Sequence, residues 1–141
     1  MSLRDAVERL LLADATRFER RILAMMEAVL ARCSEPRTCT LIEELIAEEH
    51  QHLASLDAVS EDAADECEDA TLKSGYLFKG ETVCEMLREI SQKEQASITF
   101  YALLADRTPV PGIRHAFQQI AEGEKGHVKR LAEHILAICG G

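Results

Sequence analysis

The sequence carries the same spacing of glutamate and histidine twice, with an offset of 75 positions. Each copy consists of a lone glutamate and, 30 residues later, a Glu-x-x-His motif. The six residues are Glu19, Glu49 and His52 in the first copy, and Glu94, Glu124 and His127 in the second. Residues three apart in an α-helix lie on one face about one turn apart, so each motif can bind a single metal ion. The repeat therefore predicts a site for two metal ions.

Four helices with one long connection would bring these residues together. Apolar residues recurring every three or four positions predict helices at 3–32, 39–58, 81–106 and 113–139. Pro36 is expected to end the first helix, and residues 59–80 form an acidic crossover that could include a short helix. No alternating β-branched run predicts a strand. The order predicts an all-α, ferritin-like four-helix bundle in which two antiparallel hairpins form a single domain over residues 1–141.

The two tight turns agree with this arrangement. The midpoint between Glu19 and its Glu-x-x-His motif falls at residues 34 to 35, just before Pro36. The midpoint in the second copy falls at 109 to 110, inside the Pro-Val-Pro turn. Chains that fold back at these points bring each lone glutamate level with its motif. We interpret the repeat as an internal duplication with a pseudo-two-fold axis.

Two positions near the site leave alternatives open. Asp14 and Glu27 lie on the same predicted helix as Glu19, and only the 75-residue register selects Glu19. Glu48 could hold a ligand histidine through its carboxylate, or it could lie on exposed helix surface. Its counterpart in the second copy is Gly123.

The charge of the predicted site identifies the kind of ion. Four carboxylates in a bundle core would be prohibitively costly unless cations neutralise them, and two divalent ions match that charge. Carboxylate oxygen and imidazole nitrogen together favour Fe or Mn, while Zn remains open. Six ligands for two ions leave coordination positions for a small oxidant.

With this pattern of four glutamates and two histidines, the chain resembles the rubrerythrin and erythrin-like branch of the ferritin-like superfamily. Glu94 followed seven residues later by Tyr101, within a Phe-Tyr pair, is similar to the pattern of that branch. The resemblance implies that the six repeated residues bind two Fe ions and that Tyr101 lies near the cluster. The sequence departs from the branch at Ser97, where rubrerythrins proper carry another glutamate, and at Met26, where the symmetric pattern has a second tyrosine. We also expect no rubredoxin domain.

The implied function is a di-iron oxidoreductase that reduces peroxide or dioxygen with electrons from a separate donor protein. One alternative is a non-catalytic protein that binds and oxidises ferrous iron. Another is hydroxylation of an organic substrate, which would need an apolar channel beside the cluster. Repeated turnover with a reductant separates the first two hypotheses.

Composition narrows the partners and the compartment. The net charge is −9 and the basic residues are scattered, which argues against nucleic acid. We expect no membrane span, a cytoplasmic protein and a homodimer. The number of cysteines is odd and no Cys-x-x-Cys pair occurs, so we expect reduced thiols. The cysteines are residues 33, 39, 67, 84 and 139.

Overall fold

The computed structural model describes residues 2–60 and 77–140. Within these residues the chain forms four long helices and no strand, which confirms the four-helix bundle. The helices are α1 (Leu3–Arg32), α2 (Pro36–Val59), α3 (Val83–Arg107) and α4 (Pro111–His134). A π-helical segment, Ile135–Cys139, extends α4, and Gly140 ends it with a positive φ of 79°.

The helices begin where local chemistry satisfies their first backbone N–H groups. Ser2 and Asp5 form a capping box at α1, and Thr82 caps α3. Pro36 and Pro111 stand in the first turns of α2 and α4, where proline requires no hydrogen bond. The second and fourth helices therefore start two or three residues earlier than predicted. Of the predicted crossover, residues 61–76 and any short helix there lie outside the described residues.

Apolar side chains from all four helices fill the bundle on both sides of its middle. The first cluster joins the second half of α1 and the first half of α2 to Leu87 and Leu131. The second cluster lies towards the other end and includes Leu56, Leu104 and Phe117. Burial of these side chains is the main force that holds the amphipathic helices together.

The structure contains two disulfide bonds, Cys33–Cys39 and Cys84–Cys139, so the prediction of reduced thiols is wrong for these four cysteines. The first bond crosses the short turn between α1 and α2. The second joins the first turn of α3 to the end of the π-helical segment, which an antiparallel hairpin brings close together. The fifth cysteine, residue 67, lies outside the described residues.

Among the helices formed by residues 2–60 and 77–140, none combines the length and the apolar character that crossing a bilayer requires.

Candidate metal centre

The structure brings all six repeated residues together in the middle of the bundle. Helices α1 and α3 each supply the lone glutamate, and α2 and α4 each supply a Glu-x-x-His motif. The four glutamates and His127 are fully buried, and the side chain of His52 is 11% exposed. Asp14 and Glu27 lie on exposed positions of α1, whereas Glu19 is buried and is the acid of these three that lies in one of the groups described below.

The six residues divide into two overlapping groups, each of which could hold one metal ion. Every residue of a group offers a ligand atom within 4.8 Å of the others. The first group is Glu19, Glu49, His52 and Glu124, and the second is Glu49, Glu94, Glu124 and His127. Glu49 and Glu124 belong to both groups, so each of them would contribute to the binding of both ions.

The distances from the imidazoles to the two shared glutamates follow the pseudo-two-fold repeat, whereas those to the lone glutamates do not: His127 Nδ1 lies 3.0 Å from Glu94 Oε2, and His52 Nδ1 lies 3.9 Å from Glu19 Oε1. His52 Nδ1 lies 3.0 Å from Glu124 Oε1, and its counterpart His127 Nδ1 lies 3.1 Å from Glu49 Oε1. Each imidazole therefore faces the shared glutamate of the opposite hairpin. Within its own helix, His52 lies 3.5 Å from Glu49, and His127 lies 3.9 Å from Glu124. Both Nδ1 atoms point into the cluster, which leaves both Nε2 atoms on its outer side.

The electrostatics are those of carboxylates crowded without enough positive charge. Burial and the neighbouring carboxylates raise the pKa of Glu19 and the pKa of Glu94 well above the usual range. Burial also opposes ionisation of Glu49, but hydrogen bonds with Glu19 and both imidazoles outweigh it and lower the pKa of Glu49. Burial lowers the pKa of His52, yet contacts with Glu124 and Glu49 outweigh it and raise that pKa to about 9.

The donor atoms fit a pair of cations. Eight buried side-chain atoms in the described residues have no hydrogen-bond partner, and all eight belong to these six side chains. They include both oxygens of Glu49, both oxygens of Glu124 and Nδ1 of His52. Buried polar atoms are normally satisfied, so such a concentration calls for partners that the protein does not supply. Divalent cations between the seven inward-facing atoms would provide those partners; the eighth atom, Nε2 of His127, lies on the outer side of the cluster.

Tyr101 lies next to this site, as the resemblance implied. Its hydroxyl donates a hydrogen bond to Glu19 Oε1 at 2.9 Å, from α3 to α1. Burial and the charge of Glu19 raise the pKa of Tyr101 well above its usual value. The two departures from the family pattern make the site asymmetric. Ser97 donates to the main-chain carbonyl of Glu94 at 2.7 Å, and Met26 packs in the apolar core.

Four helices that converge on two overlapping Glu/His groups define the ferritin-like class of dinuclear carboxylate proteins. Within that class, the Rubrerythrin family model matches residues 28–135, and the chain belongs to this family. A comparison with curated proteins and a comparison with solved structures each found no match.

Proposed function

We propose that this protein is a di-iron carboxylate oxidoreductase that reduces peroxide or dioxygen. The observation that carries the proposal is the sharing of Glu49 and Glu124 between two buried groups. Shared carboxylates would hold two ions close together, and a two-electron reduction of an oxidant would benefit from such a pair. Iron and manganese both combine this donor set with redox chemistry, and we propose iron; zinc binds such ligands but has no redox chemistry.

The iron ions would supply the electrons, and the protein would supply binding, orientation and protons. Glu19, Glu94 and the two histidines would serve as terminal ligands on either side of the shared carboxylates. Tyr101 places an O–H group against Glu19 at the edge of the cluster, which suits it to hold a proton close to the reacting oxidant. Because Tyr101 is fully buried, other solutes in bulk water have little access to its hydroxyl group.

Turnover with a chemical reductant tests the proposal. Iron-loaded protein is mixed with a reductant and either hydrogen peroxide or dioxygen, and loss of the oxidant is followed over many equivalents per chain. Glu49→Ala should abolish turnover, whereas Glu43→Gln, which removes a charge from an exposed position on the same helix, should retain it. A single oxidation event followed by no turnover would instead favour the iron-handling alternative, in which oxidation accompanies binding.

Hydroxylation of an organic substrate is a second candidate because one residue that lines an apolar groove, Phe117, packs against Tyr101. The groove has a volume of about 620 Å³. Leu103, Leu104 and Phe117 line it, and the ring of Phe117 lies 5.8 Å from the ring of Tyr101. Volumes of this size are typical of small-molecule sites. A medium-chain fatty acid should bind to the wild type and not to Leu103→Arg in equilibrium dialysis. Equal retention by both proteins, or by neither, would contradict this candidate.

We also propose that the chain forms a homodimer and receives electrons from a separate donor protein. Leu3, Val7 and Leu10 leave an apolar stripe on α1 exposed, and exposed apolar patches support association. Sedimentation of the wild type and of Leu10→Glu checks this expectation. A dimer that persists in the variant would exclude this stripe as the interface.

A cytoplasmic location is likewise a proposal, and the disulfide bonds make it testable. Disulfides are uncommon in reducing compartments. The proposal requires that Cys33–Cys39 and Cys84–Cys139 either resist reduction or exist there as thiols. Rapid alkylation of thiols in intact cells, together with fractionation, measures both the redox state and the compartment.

A further inference from the structure

The outer edges of the two imidazoles have different surroundings. His127 is fully buried, and its outer atom, Nε2, has no hydrogen-bond partner among the described residues. The carboxylate of Glu48 stands opposite that atom, with Oε1 at 3.6 Å from Nε2. A shift of a few tenths of an ångström would turn this contact into a hydrogen bond. Glu48 is therefore the carboxylate in position to fix the orientation of this ring.

Glu48 is itself held in place by Arg130. The Arg130 guanidinium donates to Glu48 Oε2 at 2.6 Å and, through its other terminal nitrogen, to Glu44. The hydrogen bond to Glu48 raises the pKa of Arg130 above its usual value. Because Arg130 engages only Oε2, Oε1 stays directed at His127. These contacts extend from α4 to α2 and back to the histidine of α4.

The other half of the repeat lacks all three side chains of this network. At the offset of 75 positions, the pairs are Glu48 with Gly123, Arg130 with Ser55, and Glu44 with Gln119. At Gly123 a Cβ atom would stand 2.5 Å from His52 Nε2 and 3.0 Å from His52 Cε1. The ring of His52 thus occupies the space that a side chain at residue 123 would fill. It rests against main chain, and it is the one of the two rings that is partly exposed.

We propose that Glu48 is a positioning residue for His127, and that its replacement by Gly123 in the other half makes the two metal positions unequal. The group containing His127 binds a divalent ion tightly, because a carboxylate on the outer nitrogen orients an imidazole ligand and increases its basicity. The group containing His52 binds more weakly and is the side from which an ion reaches the centre. The inference rests on the metal centre proposed above.

The inference is tested by titrating metal-free protein with Co²⁺ and measuring the affinity of each binding step. The wild type should show two unequal steps. Glu48→Ala should weaken the tighter step by about 10- to 100-fold and leave the weaker step unchanged. Glu48→Gln should fall between the two, because its amide oxygen still accepts a hydrogen bond. Glu43→Gln is the matched control on exposed α2 surface and should bind as the wild type does.

Gly123→Ala provides an independent variant, because the added methyl group must displace His52. It should weaken the looser step and spare the tighter one. Proton spectra of the Co²⁺-loaded proteins identify the affected ring, since each ligand histidine carries one exchangeable N–H. Glu48→Ala should change the signal of one histidine and Gly123→Ala that of the other. Unchanged affinities in Glu48→Ala, or an equal loss at both steps, would overturn the inference while leaving the metal centre in place. A wild-type protein that binds neither Co²⁺ nor Fe²⁺ would contradict both the inference about Glu48 and the proposed metal centre.

Discussion

The metal-free protein should become less stable as the pH rises above neutrality. The contribution of His52 to this pH dependence can be calculated, because its pKa is raised from 6.5 to about 9 in the folded chain. A raised pKa contributes stability that is fully present below 6.5 and is lost as the pH rises through about 9. The difference corresponds to about 3 kcal/mol of unfolding free energy.

The neighbouring carboxyl groups act in the same direction over this range. Glu19 and Glu94 have raised pKa values, so the folded state holds protons that the unfolded state has released above about pH 4.5. Glu49 has a lowered pKa, and the stability that it contributes is lost only in acid. The unfolding free energy of the metal-free protein should therefore fall between pH 6.5 and 9 by at least the amount that His52 contributes.

Urea unfolding of the chelated protein, with disulfides intact and followed by circular dichroism, measures this decline. His52→Gln should remove about 3 kcal/mol of the pH dependence, and His50→Gln, an exposed histidine two residues away, should leave it unchanged. Metal-loaded protein should show a much flatter profile, because cations take the place of the protons. Chelated protein whose stability is constant or increases from pH 6.5 to 9 would refute the electrostatic reasoning.

Three further variants test separate parts of the structure. Tyr101→Phe should lower the unfolding free energy by about 1 kcal/mol through loss of the hydrogen bond to Glu19, and metal analysis should still find two ions per chain; a lower metal content would contradict this. Glu94→Ala should reduce the metal content towards one ion per chain, and full occupancy would argue against its role as a ligand. Replacing Cys84 and Cys139 together by serine should cost about 4 kcal/mol in urea unfolding, since the bond closes a long loop; a loss below about 1 kcal/mol would contradict that estimate.

The centre was predictable from the sequence because its ligands obey two periodicities at once. The three-residue spacing places Glu124 and His127 on one face of a helix, and the 75-residue repeat selects Glu19 from the other acids of α1. The turn midpoints fixed the height at which the helices meet. Helix boundaries near the turns were less accurate, because Pro36 can end one helix or begin the next and the local sequence does not decide between these roles.

Cysteine number and Cys-x-x-Cys spacing do not reveal these two disulfide bonds. Cysteine pairing in a bundle depends on which helix ends meet. Cys84 opens the third helix and Cys139 closes the fourth, so the predicted antiparallel hairpin already placed them at the same end. The contact of Glu48 with His127 also needed the structure, because a one-residue neighbour of a ligand can point either into the site or into solvent.

The proposed function depends on a two-ion centre built on Glu49 and Glu124. An aerobic titration of metal-free protein with ferrous iron, followed by the ferric absorbance in the near ultraviolet, measures the number of ions that this centre binds. We expect a break near two irons per chain in the wild type and no such break in Glu49→Ala. A wild-type titration without a saturable signal, or with uptake far beyond two irons per chain, would show that these residues do not form a two-ion centre.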